Sequence, residues 1–275
     1  MDTCEIMTAV RNLCRLHSEG DLPERELLRN VNLSYSMVCA LLYPLFKEDL
    51  IYTHNETVAS GDFAIPKDLL LLINVYRKNS DLAYKLCNRL EMENKGLIGT
   101  VNYPSDEDHP IYVQLGSQLS FTPTLSTTDI KLEYRKRIPP LVFGIGTSAA
   151  DGTYITLDNY APVRDDVLNY SWIALYKLTA GVPLLSTVAK IGDYVGATKR
   201  ATVTCPDNNQ AYHYALVPVL PDEWHHFVVE MALVYLALAD YYKKDPKVLK
   251  NAAMEAIIFV LKTQGIEYSA KVEGK

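Results

Sequence analysis

The hydrophobic period changes twice along this chain, and those two changes constrain its fold more than any other feature. At the N-terminal end apolar residues recur at helical spacing. Ile6, Val10, Leu13 and Cys14 define a short amphipathic helix over residues 3–17, stopped by His17-Ser-Glu-Gly20. Leu22-Pro23 opens a second helix, with proline near the first turn where its missing N–H costs nothing. Leu27, Leu28, Val31, Tyr35, Val38, Leu41 and Leu42 give it a wide apolar face to about Phe46, where Pro44 should kink or end it. Helical spacing then disappears and returns only after Pro221. There Asp222 and Glu223 supply negative charge to a first turn, as the helix dipole favours. Phe227, Val228, Met231, Val234, Tyr235, Leu238 and Ala239 form the next apolar stripe, broken by Lys243-Lys-Asp-Pro246. A last helix runs from Val248 to Lys262 with Gly265 as its cap, and residues 266–275 read as a tail of mixed charge without a period.

Between the helical ends the spacing is mostly that of strands. Ile51 to Ala59 alternates loosely, Gly61-Asp62 turns, and Leu69 to Arg77 is a buried strand or a short helix running into one. Ala83 to Leu90 is helical by spacing. Ile111 to Leu115 and Asp129 to Arg135 are expected to pair as a hairpin across the Pro123 loop. Pro139-Pro140 marks a boundary. Beyond it, Tyr154-Ile-Thr-Leu157, Trp172-Ile-Ala-Leu-Tyr176, Thr187-Val-Ala-Lys-Ile191 and Arg200-Ala-Thr-Val-Thr204 alternate between Gly, Asp and Asn turns, which predicts a small module of four or five strands.

Charge and cysteine usage exclude some functions. The net charge is −6, from 33 acidic against 27 basic residues, a poor balance for a protein that grips phosphates. The densest basic run, Lys131-Leu-Glu-Tyr-Arg-Lys-Arg137, alternates like a strand; it reads as a solvated strand face, with contact to an acidic partner or nucleic acid as the alternative. Five cysteines form no CxxC pair and no zinc-spaced Cys/His cluster; the odd count suggests reduced thiols and assembly in a cytoplasm. No stretch of apolar residues is long enough to span a membrane.

Chemical motifs are few. Glu223, His226 and Glu230 share one helix face at i, i+3, i+7, but further ligands would have to come from elsewhere, so they are expected to be surface residues. Gly144-Ile-Gly-Thr-Ser-Ala-Ala-Asp-Gly152 lacks the GK[ST] of a phosphate loop and reads as a linker. Gly192-Asp-Tyr-Val-Gly-Ala-Thr-Lys199 has the wrong spacing for one and reads as a hairpin turn. Asp106-Glu107-Asp108 sits in a polar loop. No metal, cofactor or catalytic residue is expected.

Two stretches carry a resemblance. Phe63-Ala-Ile-Pro-Lys-Asp-Leu-Leu-Leu-Leu-Ile-Asn-Val-Tyr76, Ile130-Lys-Leu-Glu-Tyr-Arg-Lys-Arg-Ile-Pro139 and Leu220-Pro-Asp-Glu-Trp-His-His-Phe227, in that order after two helices and before two more, resemble the head-to-tail connector (adaptor) proteins of tailed bacteriophages. Thr153 to Leu157 and Ile191-Gly-Asp-Tyr-Val-Gly-Ala-Thr-Lys-Arg-Ala-Thr-Val203 are similar to a short β-module that recurs in phage structural proteins. The resemblance implies an α+β chain: a helical-bundle adaptor domain with a small sheet (residues 1–140 and 216–275), an inserted all-β module (141–215) absent from the plain adaptor pattern, and a C-terminal tail (266–275). It implies a non-enzymatic virion protein, assembled as a ring of twelve copies beneath the portal, with tail or nozzle proteins below it. Genomic DNA would pass through the ring without sequence-specific binding. The tail, through Ile266, Tyr268 and Val272, matches the segment that docks on the portal in that family. Another neck, tail-completion or baseplate role is the alternative, followed by a peptidoglycan-cleaving enzyme whose carboxylate pair only the fold would assemble.

Overall fold

The computed structural model describes residues 1–15, 22–79, 81–98, 100, 105–106, 108–123, 125–179 and 182–266. In chain order, helices α1 (Thr3–Cys14) and α2 (Glu24–Phe46) lead into eight strands: β1 (Ile51–Gly61), β2 (Phe63–Ala64), β3 (Leu69–Lys78), β4 (Tyr84–Leu86), β5 (Asn88–Arg89), β6 (Ile111–Leu115), β7 (Gln118–Thr122) and β8 (Leu125–Lys136). Seven more follow, β9 (Phe143–Ser148), β10 (Tyr154–Thr156), β11 (Trp172–Thr179), β12 (Val182–Lys190), β13 (Tyr194–Val195), β14 (Arg200–Thr202) and β15 (Ala211–Leu216), and the chain closes with α3 (His225–Leu238) and α4 (Pro246–Thr263). Three sheets, of four, seven and four strands, organise these elements. The helical-bundle adaptor domain with a small sheet is therefore overturned: the chain is mostly β, and its helices serve a seven-stranded sheet.

The compact units also fall elsewhere than expected. One comprises Met1–Phe46 with Ile138–Lys275, and the other Lys47–Arg137. In the second unit β1, β8, β3 and β4 form one sheet and β2, β7, β6 and β5 another. Phe63, Leu119 and Phe121 from one meet Val75, Ile130, Leu132 and Tyr134 from the other in a shared core. That self-contained core is why residues 47–137 separate. The expected hairpin between 111–115 and 129–135 does not form. β6 turns back through Gly116, at φ +60°, to pair with β7, while β8 lies between β1 and β3. Ala83 to Leu90, helical by spacing, supplies β4 and β5 instead, because strand pairing with β3 and β6 outweighs local preference.

In the first unit the order is β12-β11-β15-β9-β10-β14-β13. One face of that sheet buries Ile155, Leu168, Ile173, Leu175, Tyr194, Tyr212 and Tyr214. The helices are tied to the sheet rather than standing apart from it. The Thr3 hydroxyl donates to the Leu216 carbonyl at 2.6 Å, and Asn32 bonds both backbone groups of Leu141, at 2.8 and 2.9 Å. The Val219 N–H donates to the hydroxyl of buried Tyr35. The segment 141–215 is thus not a separate projecting module. α1 begins with a capping box between Asp2 and Glu5. α3 is buried almost all round rather than along one stripe; His226 is exposed and Glu230 half-buried. α2 continues through Pro44 to Phe46, since a proline so near the end removes little helix bonding. No helix among the described residues is long and apolar enough to cross a membrane.

Candidate assembly surface

The first unit's sheet has two edges. At one, β12 has β11 as its single neighbour among the described strands. The pair is antiparallel from Trp172↔Lys190 to Thr179↔Val182, with a bulge opposite Leu175/Tyr176. Near its start β11 is well covered: Ile173 and Leu175 are in the core. Toward the turn both strands emerge. Leu178 is 51% exposed, Val182 57%, Leu184 54% and Leu185 56%, and Val188, opposite Ala174 at the other end of the pair, is 45% exposed. Leu184 and Leu185 are adjacent, so both faces of the ribbon are apolar and wet. Pro183 fits here because an edge strand tolerates a residue without an N–H. The hairpin is anchored where Tyr176 donates its hydroxyl to the Asp2 carboxylate. Burial and that carboxylate both push the Tyr176 phenol well up, so it remains a donor. Beside it, Cys4, Thr8, Tyr176, Pro183 and His213 line a cleft of about 560 Å³ between α1 and the hairpin.

Pro183, the bulge and Lys190 blunt this edge against pairing with another strand, while its leucines and valines leave an apolar patch in water. β11 and part of β12 show in the sequence as alternating runs, but their exposure does not. The available signal was Val182-Pro-Leu-Leu, where apolar residues occupy both parities and a proline excludes a central strand.

The residues singled out from sequence fall in several places. Glu223 lies in a short turn of 3₁₀ helix before α3, Glu223 and His226 are exposed, and the His226 ring lies 3.9 Å from that of Phe227. No group of three or more His, Cys, Asp or Glu placed to hold a metal occurs among the described residues. Gly144 to Gly152 is not a linker: its first half is β9. A Cβ on Gly144 would sit 1.8 Å from Asp158 Oδ2, and one on Gly146 2.8 Å from Ile155, so these glycines let β9 pass close to its neighbours. Gly192 to Lys199 does contain a hairpin turn, between β13 and β14. Asp106 accepts from the N–H groups of Asp108 and His109 and from the His109 ring, while Glu107 lies outside the described residues. Lys131 to Arg137 is no basic patch. Lys131 pairs with Glu133 at 2.9 Å and Arg135 with Glu48 at 3.2 Å, and Lys136 is buried. Burial pushes the thiols of Cys4, Cys39 and Cys87 up to about 12, which keeps them protonated and poorly nucleophilic. Of the three tail residues, Ile266 is described, and Tyr268 and Val272 lie outside the described residues. No family model matches the chain, and no curated protein matches it either.

Proposed function

We propose that this protein is a structural component of a tailed-phage virion, a connector that forms a ring beneath the portal, links the DNA-filled head to the tail and lets DNA pass without sequence-specific contact. The observation that carries the assembly part is the cluster of exposed apolar side chains on the β11–β12 hairpin, Leu178, Val182, Leu184, Leu185 and Val188. The phage part rests on the resemblance of Ile191 to Val203, which forms an ordered β13–β14 hairpin here. An acidic net charge suits a channel that must not hold DNA.

The three-sheet architecture departs from the helical pattern that the resemblance implies, and it is the reason for a second reading as another neck, tail-completion or baseplate protein. Native mass spectrometry of the chain alone and mixed with its portal protein separates the two. A connector forms a ring-sized complex with the portal. If the mixture shows only the two separate species, the portal-bound reading fails and the second one takes its place.

A further inference from the structure

We propose that the cleft between the start of α2 and β9 binds a short neutral saccharide, with the ring of Tyr160 as the platform under one sugar. The cleft lies within the first unit and has a volume of about 630 Å³, in the range of sites that enclose a small organic ligand. Three segments line it: the first turns of α2, the beginning of β9, and the loop after β10 from Asp158 to Tyr160. Tyr160 is 76% exposed and Ile145, across the cleft on β9, 54%. A single exposed aromatic is ordinary. Here it lines a concave site together with four planar polar side chains, Glu24, Arg25, Asp158 and Asn159.

Asp158 is the fixed point of that set. Its Oδ1 accepts from the Tyr160 N–H at 2.9 Å and from the Tyr214 hydroxyl at 3.1 Å, and its Oδ2 from the Ile145 N–H at 3.3 Å. Burial, and then the charge of Asp158, push the Tyr214 phenol far up, so it stays a donor. Gly144 opens the space that the carboxylate fills, since a Cβ there would lie 1.8 Å from Oδ2. A carboxylate offers about four lone-pair sites, so Asp158 is held in place and can still accept from a ligand. Its bond to the Tyr160 N–H also forms the local turn that carries the aromatic ring. Platform and acceptor are therefore placed by one residue pair.

Charge and shape select the ligand. Glu24 and Asp158 outnumber Arg25 in the cleft, so a phosphate or another anion is repelled, while Arg25 opposes a simple cation. A neutral molecule with many donors and acceptors and one apolar face meets neither objection. A pyranose is such a molecule. Its axial C–H groups lie flat on an aromatic face, the electron-rich side of the ring. Its hydroxyls donate to the Glu24 and Asp158 carboxylates and accept from Arg25 and from the Asn159 amide, and neighbouring hydroxyls match the two-atom reach of these planar groups. Leu28, Phe143 and Ile145 supply the apolar wall for the remaining C–H edge. The cleft is larger than one sugar ring needs, which favours a disaccharide. The inference stands on the cleft alone, independent of any virion role.

The test records saturation-transfer difference NMR of the full chain with cellobiose, maltose, lactose and diacetylchitobiose. Adenosine and N-acetyltryptophanamide serve as flat, neutral probes that are not saccharides, and each responder is titrated for its Kd. At least one disaccharide should receive saturation at its ring C–H protons, with a Kd of about 1 mM or tighter. Y160A should weaken that binding at least about tenfold, and Y160F less than about twofold, because the ring face carries the contact. Both variants should melt with the parent, since Tyr160 is exposed. If none of the disaccharides responds, or if Y160A binds the responder as tightly as the parent does, the proposal fails. A response from adenosine or N-acetyltryptophanamide alone, lost in Y160A, would give the cleft to another class of ligand and overturn it equally.

Discussion

The two edges of the seven-stranded sheet are finished in opposite ways. At the β13 edge the last strand is only two residues long, and the loop between β10 and β11 is bonded across it. Asp165 accepts from the Gly196 N–H at 2.8 Å, the Asp166 N–H donates to the Tyr194 carbonyl at 2.9 Å, and Lys199 donates to the Ala161 carbonyl at 2.6 Å. Tyr194, fully buried, donates its hydroxyl to the Pro162 carbonyl at 2.5 Å. At the β12 edge the strand runs for nine residues, with Leu184 and Leu185 exposed on opposite faces. A short, bonded edge completes itself within one chain, whereas the longer one is protected from pairing by Pro183, a bulge and Lys190 and still leaves an apolar patch in water. On the function proposed above, the closed edge serves folding and the exposed patch at the other serves assembly.

If that separation holds, substitutions at the closed edge should damage folding and those at the open edge should not. The largest effect is expected at Gly196. A Cβ there would lie 2.3 Å from the Val163 carbonyl oxygen and 2.5 Å from its carbon, both backbone atoms of the covering loop. G196A should therefore cost about 2–4 kcal/mol in urea or guanidinium unfolding. A loss below about 0.5 kcal/mol would mean that the loop is not held against the strand. Next comes Y194F, which removes the hydroxyl from a buried ring and leaves the Pro162 carbonyl without that donor. About 1–2 kcal/mol should be lost by the same measurement, and no loss would indicate that water reaches the carbonyl.

The open edge should behave differently. L184K/L185K should change stability by no more than about 0.5 kcal/mol, since both side chains already face solvent. A clear destabilisation would show that the hairpin folds back onto its own unit and that the two edges are not so different.

What sequence could and could not reveal follows from the same contrast. Helical period is a local property, and α2, α3 and α4 begin and end within a few residues of where their apolar stripes place them. The turn at Gly192 to Lys199 was legible because glycine and lysine there serve a local bend; Lys199 adopts φ 56°. Partner choice was not legible. β8 could be read as a strand, but nothing in its residues says that it pairs with β1 and β3 rather than with β6. Glycine is ambiguous in a similar way: Gly144 and Gly146 look like linker residues until Asp158 and Ile155 are seen to fill the space a Cβ would need. Nor does an apolar strand declare whether it is covered. Ile173 and Leu184 look equivalent in sequence, yet the first is fully buried and the second more than half exposed.

The smallest effect concerns an ion pair on the open hairpin. Lys177 in β11, opposite Leu184, lies 3.1 Å from Asp207, and both side chains are nearly half exposed. Lys177, followed by the Tyr212 hydroxyl, holds the Asp207 carboxyl below the usual carboxylate range. A carboxyl depressed in the fold stabilises it above the ordinary value, near 4, and that contribution is lost as pH falls through the lower folded value. In K177M the Asp207 titration should therefore move up toward the ordinary value. It should stop short of it, because Tyr212 still donates to the same carboxylate at 3.1 Å. Carbon-detected NMR titration reads this directly, and melting temperatures should barely register it. High salt should shrink the difference between parent and variant, since an exposed pair is screened. If Asp207 titrates identically in both proteins at low salt, the pair is not formed in solution, and the hairpin is held by Tyr176 and strand pairing alone.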